Sequence, residues 1–208
     1  MSGAAVRRED IAARSSGTLG KRRWYRPVAH LLELEGGARA VVKDFLPCPA
    51  FWRWTYGRFL TSREVRAYER LDGVPGVPRF LGRIDAYAFA LEWVPGLDLG
   101  KCPKGTLGPE VFERLAATVE EMHRRGVVHL DLRQRRNVLV DDRGVPRVID
   151  FSSGFALRPG GWWLRRLAPI DRSGVLKYKR RFLPDSLTED ERRRLQRLES
   201  WRRFWPFS

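Results

Sequence analysis

The chain has 208 residues, 43% of them hydrophobic, and a formal net charge of +15. That length and apolar content can build one large domain or two small lobes and exclude global disorder. The cation excess asks for an anionic partner (phosphate groups, nucleic acid or a membrane surface) unless it is only a solvated basic face.

The opening stretch MSGAAVRREDIAARSSG has no apolar run of the secretory kind and reads as a flexible arm over residues 1–16. VAHLLEL and ARAVVKDF then read as two strands around the turn EGG, with His30 at a strand surface and a charged pair, Lys43 and Asp44, near the second strand's end. After the aromatic and arginine-rich CPAFWRWTYGRFL, the stretch TSREVRAYERL predicts a helix, with Thr61 and Glu64 at capping-box spacing. GVPGVPRFLG leads to a strand, and AYAFALEWV reads as a buried strand halted by Pro95 and Gly96.

Beyond this point the period changes. Val111, Leu115, Val119 and Met122 recur at helical spacing, and Gly126 suits the position just past the helix end. VVHLDL follows, then two short strands around DDRG, then an arginine-rich region that is mostly helix. Its last segment begins with Ser186 and Glu189 at capping-box spacing and puts Leu195, Leu198, Trp201 and Trp205 on one stripe. Residues 17–94 thus form a strand-rich first lobe and residues 95–208 a helical second lobe.

VVHLDLRQRRNVLV places one carboxylate, Asp131, among residues that favour burial. Such a carboxylate is costly unless compensated, which fits a positioned acceptor for a hydroxyl proton. A hairpin over NVLVDDRGVPRVID would bring Asn137 and Asp150 side by side. That pair suits Mg²⁺, which takes one or two carboxylates together with phosphate oxygens. Lys43 ends an apolar strand, where phosphate and Glu64 would stabilise it, with Glu69 as the alternative partner. A lysine on phosphates, a metal on Asp and Asn, and a base for the acceptor make a phosphoryl-transfer set.

On these residues the chain resembles a family. MHRRGVVHLDLRQRRNVLV looks like the catalytic loop of protein-kinase-like phosphotransferases, VIDFSSG like their metal-binding segment, AVVK like their lysine strand and REVRAYERL like their Glu helix. The resemblance implies an α+β, two-lobed protein-kinase-like fold with a small antiparallel β N-lobe and a reduced helical C-lobe. It implies ATP and Mg²⁺ as cofactors, Asp131 as catalytic Asp, His129 as support of the catalytic loop and Arg133 near the γ-phosphate. By the same resemblance Asn137 and Asp150 hold Mg²⁺, Lys43 and Glu64 set the phosphates, and Glu92 and Val94 offer hinge groups to adenine. Val41 and Leu139 would then lie above and below the adenine ring.

The departures narrow the type. Asn137 follows Asp131 by six residues, one more than the family spacing; the metal segment reads DFS; neither a G-x-G-x-x-G loop nor an A-P-E is present. These features are similar to small bacterial kinases of the RIO type and of the lipopolysaccharide Kdo/heptose type, and they speak against a peptide platform.

FWRWTYGRF, GWWLRR and ESWRRFWPF set Trp beside Arg, which suits a membrane interface or a core whose arginines point to water. Cys48 and Cys102 lie far apart with no C-x-x-C pair, as expected of free thiols in a reducing compartment. The expectation is a cytoplasmic kinase, free or peripheral at the inner membrane face, that acts as a monomer on a hydroxyl of a lipid-linked sugar or other anionic glycolipid. A RIO-like protein kinase acting on a ribonucleoprotein and a non-catalytic pseudokinase that docks on a membrane are the alternatives. Nucleic acid is the weaker partner, since no RNA-reading motif is present.

Overall fold

The computed structural model describes residues 6–20, 23–103 and 105–202, the side chains of 198–202 excepted. The chain divides into two compact units. The first runs through Asp72 and includes Pro78–Val94; the second joins the short stretch Gly73–Val77 to everything from Pro95 onward.

The first unit is built on a five-stranded antiparallel sheet. Its strands are β1 (Ser15–Leu19), β2 (Val28–Glu33), β3 (Arg39–Asp44), β4 (Phe80–Arg83) and β5 (Ala88–Glu92), in the order β1-β2-β3-β5-β4. Side chains alternate across a strand, so β3 sends Ala40, Val42 and Asp44 to one face and Val41 and Lys43 to the other. Helix α1 (Arg8–Arg14) covers the first face, where Val6 and Ile11 join Leu32, Ala40, Val42, Ala88 and Ala90 in one cluster. Residues 8–16 are therefore part of the fold and not a loose arm. Arg8 Nη1 reaches the buried Asp44 at 2.6 Å and the same guanidinium pairs with Asp85, which compensates a carboxylate that the core would otherwise reject.

The second helical segment begins well before Thr61, where the sequence suggests a cap. Helix α2 (Ala50–Trp52), a π-helical turn (Arg53–Gly57) and α3 (Arg58–Leu71) follow one another without a break. Thr61 thus lies inside the helix, fully buried, and Thr61 with Glu64 is not a capping box. Gly57 permits the close passage, because a Cβ there would stand 3.2 Å from Phe45 Cβ. Tyr68 packs near Phe89, ring centroids 6.1 Å apart, so α3 shares a face with the odd-numbered β3 positions.

In the second unit, α4 (Pro109–Arg124) buries Val111, Leu115, Val119 and Met122 as the spacing predicts, and Gly126 takes φ +79° just beyond its end. Strands β6 (Leu97–Asp98), β8 (Val138–Val140) and β9 (Pro146–Val148) form one small sheet, and β7 (Val127–Val128) pairs with β10 (Phe155–Ala156). Helix α5 (Trp162–Phe182) carries Pro169 in its interior and packs on α4 through Phe112 and Phe182. Helix α6 (Glu189–Arg202) is capped two residues later than expected: Glu191 N donates to Thr188 Oγ1 and Thr188 N donates to Glu191 Oε2. Leu195 is buried, whereas the side chains of Leu198 and Trp201, and all of Trp205, lie outside the described residues.

Candidate active site

In the first unit, the pairing of β3 with both β2 and β5 fixes Lys43 opposite Ala29 and Phe89, on the α3 side of the sheet. There its ammonium pairs with the carboxylate of Glu64 from α3; Lys43 is 14% exposed and Glu64 2%. Glu64, and not Glu69, is the lysine's partner, because the uninterrupted helix from Ala50 turns that position inward. Val41 sits half-buried two residues earlier on the same face. Glu92 ends β5, the unit's last strand, and Val94 follows two residues later. Glu92 N donates to Arg79 O at 2.9 Å, and the Glu92 side chain accepts from Arg79 N at 3.2 Å.

The second unit holds the residues expected to form the catalytic loop. His129 is completely buried and its ring stands on Phe151, centroids 4.8 Å apart. The ring bridges two segments. Its Nε2 lies 3.0 Å from Ile149 O, so Nε2 carries the proton, and its Nδ1 accepts from Asp131 N at 3.2 Å. Asp131 in turn accepts from Asn137 Nδ2 at its main-chain O, 3.0 Å, and at Oδ2, 3.1 Å. The extra residue between Asp131 and Asn137 is absorbed by a 3-10 turn at Arg135–Asn137. Asn137 thus engages one of the two carboxylate oxygens of Asp131.

The hairpin β8–β9 joins the remaining pair. Val138 pairs with Val148, and Ile149 N donates to Asn137 O at 2.9 Å, which brings Asp150 one residue beyond Asn137's partner. Asp150 adopts φ +66°, ψ +73°, a conformation that non-glycine residues hold only under tertiary constraint. Leu130, directly before Asp131, also has positive φ (63°). Among the described residues no three His, Cys, Asp or Glu side chains cluster as a self-sufficient metal site. One amide oxygen and one carboxylate nonetheless match the partial set that Mg²⁺ completes with phosphate oxygens and water. Leu139, half-buried on β8, stands opposite Asp98 and Arg147.

One residue of this site escaped the sequence reading. Asp171, on α5, is fully buried and accepts three hydrogen bonds: from His129 N at 2.8 Å, Leu130 N at 2.8 Å and His123 Nε2 at 3.1 Å. It holds the backbone at His129 and Leu130 and gives His123 Nε2 a partner inside the core. The signal was present, since Leu164, Ala168, Asp171, Val175, Tyr178 and Phe182 form the buried stripe of α5 at spacings of three and four, with an ionisable residue in the middle. The same helix grips the loop further on. Tyr178 donates its hydroxyl to Leu132 O, and burial pushes its pKa up. Ser173 Oγ accepts from Arg133 at 3.0 and 3.3 Å.

Arg133 and Asp131 line an open cavity of about 570 Å³ in the second unit, together with Asp98, Arg135, Arg136 and Lys177. Among the described residues, no carboxylate is within ion-pair distance of these four cations, whereas Asp98 is already paired with Lys101 at 3.1 Å.

The fold is that of the protein-kinase-like phosphotransferases. Two crystal structures of Rio2 kinase from Chaetomium thermophilum superpose on it. The complex with ADP/Mg²⁺ and phosphoaspartate gives a TM-score of 0.63 at 16% identity, over 91% of this chain and 62% of that one. The other gives 0.60 at 14% identity, over 94% and 76%. In sequence, the chain is 32% identical over 76 residues to a 3-deoxy-D-manno-octulosonic acid kinase of Photobacterium damsela subsp. piscicida, covering 36% of this chain and 31% of that protein. It is 28% identical over 120 residues to serine/threonine-protein kinase C of a Synechocystis species, covering 53% of this chain and 22% of that protein. The chain therefore spans about a third or less of these two relatives' lengths. No protein-family model matches it.

Proposed function

We propose that the chain is an ATP- and Mg²⁺-dependent kinase. Its γ-phosphate acceptor is a hydroxyl of an anionic sugar, most simply a lipid-linked, lipopolysaccharide-core-like sugar at the cytoplasmic membrane face. The observation that carries this reading is the placement of Asp131 in the wall of a cavity with four cations that have no ion-pair partner among the described residues. A neutral or cationic acceptor would leave those charges facing one another, whereas phosphate or carboxylate groups on the acceptor pair with them. The likeness to a 3-deoxy-D-manno-octulosonic acid kinase supports a sugar acceptor.

In this reading the acceptor O–H gives its proton to the free oxygen of Asp131 as the oxygen attacks the γ-phosphorus, and the bond from that phosphorus to ADP breaks. Asn137 keeps the carboxylate turned toward the acceptor through its hydrogen bond at 3.1 Å. Arg133, steadied by Ser173, faces the transferred phosphoryl group with guanidinium N–H donors. In the first unit Lys43, braced by Glu64, would bind the ATP phosphates, with Val41 at adenine and Glu92 and Val94 offering it backbone groups. Asn137 and Asp150 would hold Mg²⁺, which supplies charge neutralisation between the phosphates.

The test is Asp131→Asn. ATP affinity should stay within about twofold, while transfer to a lipid-linked 3-deoxy-D-manno-octulosonic acid acceptor falls by about 10²–10⁴. Retained turnover removes Asp131 from its role as base. The likeness to a serine/threonine-protein kinase supports a second reading, a protein acceptor; label appearing on a protein substrate and not on the sugar would decide for it.

A further inference from the structure

The aromatic and arginine-rich segment after β3 divides its rings between two tasks. Trp52 turns inward: it packs against the cluster of Phe45, Cys48 and Leu60, and its Nε1 donates to Tyr25 O at 2.9 Å. Phe51, Trp54 and Phe59 turn outward and are 79%, 66% and 56% exposed, with Trp24 (65%) beside them against Trp52. The π-helical turn at Arg53–Gly57 inserts one residue into the helical register, which lets inward Trp52 and outward Trp54 and Phe59 coexist on one continuous helical segment. Exposing this many large rings next to one another is unfavourable in water and marks a docking face.

The charges around these rings choose the partner. From Phe45 to Arg63 the chain contains no Asp or Glu but has Arg53, Arg58 and Arg63, and Arg23 and Arg26 flank Trp24. A second copy of the same face would set arginine against arginine with no carboxylate in the segment to pair them. A stacking platform for nucleic-acid bases presents ring faces in series, but here Trp24 meets Tyr25 and Trp52 edge-on, at 79° and 61°. Rings projecting between arginines fit a bilayer interface, where aromatic side chains rest at headgroup depth and the cations meet lipid phosphate. No described helix is long and apolar enough to cross a membrane, so the contact is an interfacial one.

We infer that residues 51–59, with Trp24, form a docking face for an anionic lipid bilayer. This deepens the proposed membrane-face acceptor and rests on that reading for its purpose. Its test needs no turnover, so failure of docking and failure of the kinase reading are separately visible.

The experiment is flotation of the full chain with vesicles of phosphatidylcholine, with and without phosphatidylglycerol, at physiological salt. The wild type should float with the anionic vesicles only. Phe51→Ser/Trp54→Ser/Phe59→Ser should lower the bound fraction by about tenfold or more, since it removes the inserted rings. Trp162→Ser/Trp163→Ser, which alters exposed rings of the second unit, should float as the wild type does. If the triple variant is unstable, Arg53→Glu/Arg58→Glu gives the same reading through charge, with flotation lost and Mg²⁺-dependent ATP hydrolysis kept. Equal flotation of wild type and triple variant overturns the inference, as does loss of flotation only in the Trp162/Trp163 variant. Retention of RNA by the wild type, abolished in the triple variant and without any vesicle binding, overturns it in favour of nucleic acid. Concentration-dependent dimerisation that the triple variant abolishes, again without vesicle binding, overturns it in favour of a second copy.

Discussion

The Asp171 carboxylate is closed off from water and replaces solvation with three donors, two of them backbone N–H groups of the catalytic loop. Asp171→Ala would strand the N–H groups of His129 and Leu130 and the Nε2–H of His123. Each buried orphan costs about 1–3 kcal/mol. The variant should therefore lose about 3 kcal/mol or more in urea unfolding. ATP turnover measured on the remaining folded fraction should fall as well, because the positive φ of Leu130 is then no longer held. Tyr178 makes a complementary, pH-dependent contribution. Burial raises its pKa, so the folded state retains a proton that the unfolded chain releases above about pH 10. Its contribution is full below the unfolded pKa and is lost as pH rises toward the folded one. Between about pH 8 and about pH 11 the wild-type urea midpoint should drop more steeply than that of Tyr178→Phe. At neutral pH the variant should be weaker by about 1 kcal/mol, for the lost hydrogen bond to Leu132 O.

At the scale of elements, Gly57 decides whether α3 can approach β3's end. Alanine gains about 0.5–1 kcal/mol of helix propensity, but its Cβ would press on a Phe45 side chain that is 1% exposed and enclosed by Cys48 and Leu60. Overpacking of that kind costs about 1–3 kcal/mol, so Gly57→Ala should be less stable by about 1 kcal/mol in thermal or urea unfolding. The elements also show what a sequence can disclose. β3, α4 and the β8–β9 hairpin were legible because their signals are local: alternation, three-four spacing, and a DDRG turn that closes on itself. The same hairpin made the closeness of Asn137 and Asp150 legible, and the strand-end position of Lys43 pointed to its pairing with Glu64. Helix α1 was not legible, because what holds it is Asp44 and Asp85, 36 and 77 residues from Arg8. The π-helical turn was hidden for another reason: a one-residue register insertion has no compositional mark, so Thr61 read as a cap when it is helix interior. Asp171 lies 42 residues beyond His129, and only the unbroken stripe across Pro169 would have disclosed that it faces the core.

For the molecule as a whole, a formal charge of +15 means that folding gathers cations against their mutual repulsion. Screening relieves this, since the Debye length falls from about 30 Å at 0.01 M salt to about 10 Å at 0.1 M. Sodium chloride added over that range should therefore raise the unfolding midpoint, although it also weakens exposed ion pairs such as Arg124–Glu121 and Arg172–Glu120. General screening and specific anion binding then separate by ion type. Phosphate at the ionic strength of the chloride reference screens equally, but it can also occupy the cavity of Arg133, Arg135, Arg136 and Lys177. An anion at ten times its Kd adds about 1.4 kcal/mol of stability. The midpoint should thus stand higher in phosphate than in matched chloride. Arg135→Gln/Arg136→Gln should erase that difference while keeping the chloride response, because the two removed charges belong to the cavity and the rest of the excess is spread over the molecule. A variant that keeps the phosphate increment would show that the cations around Asp131 repel one another without forming a site.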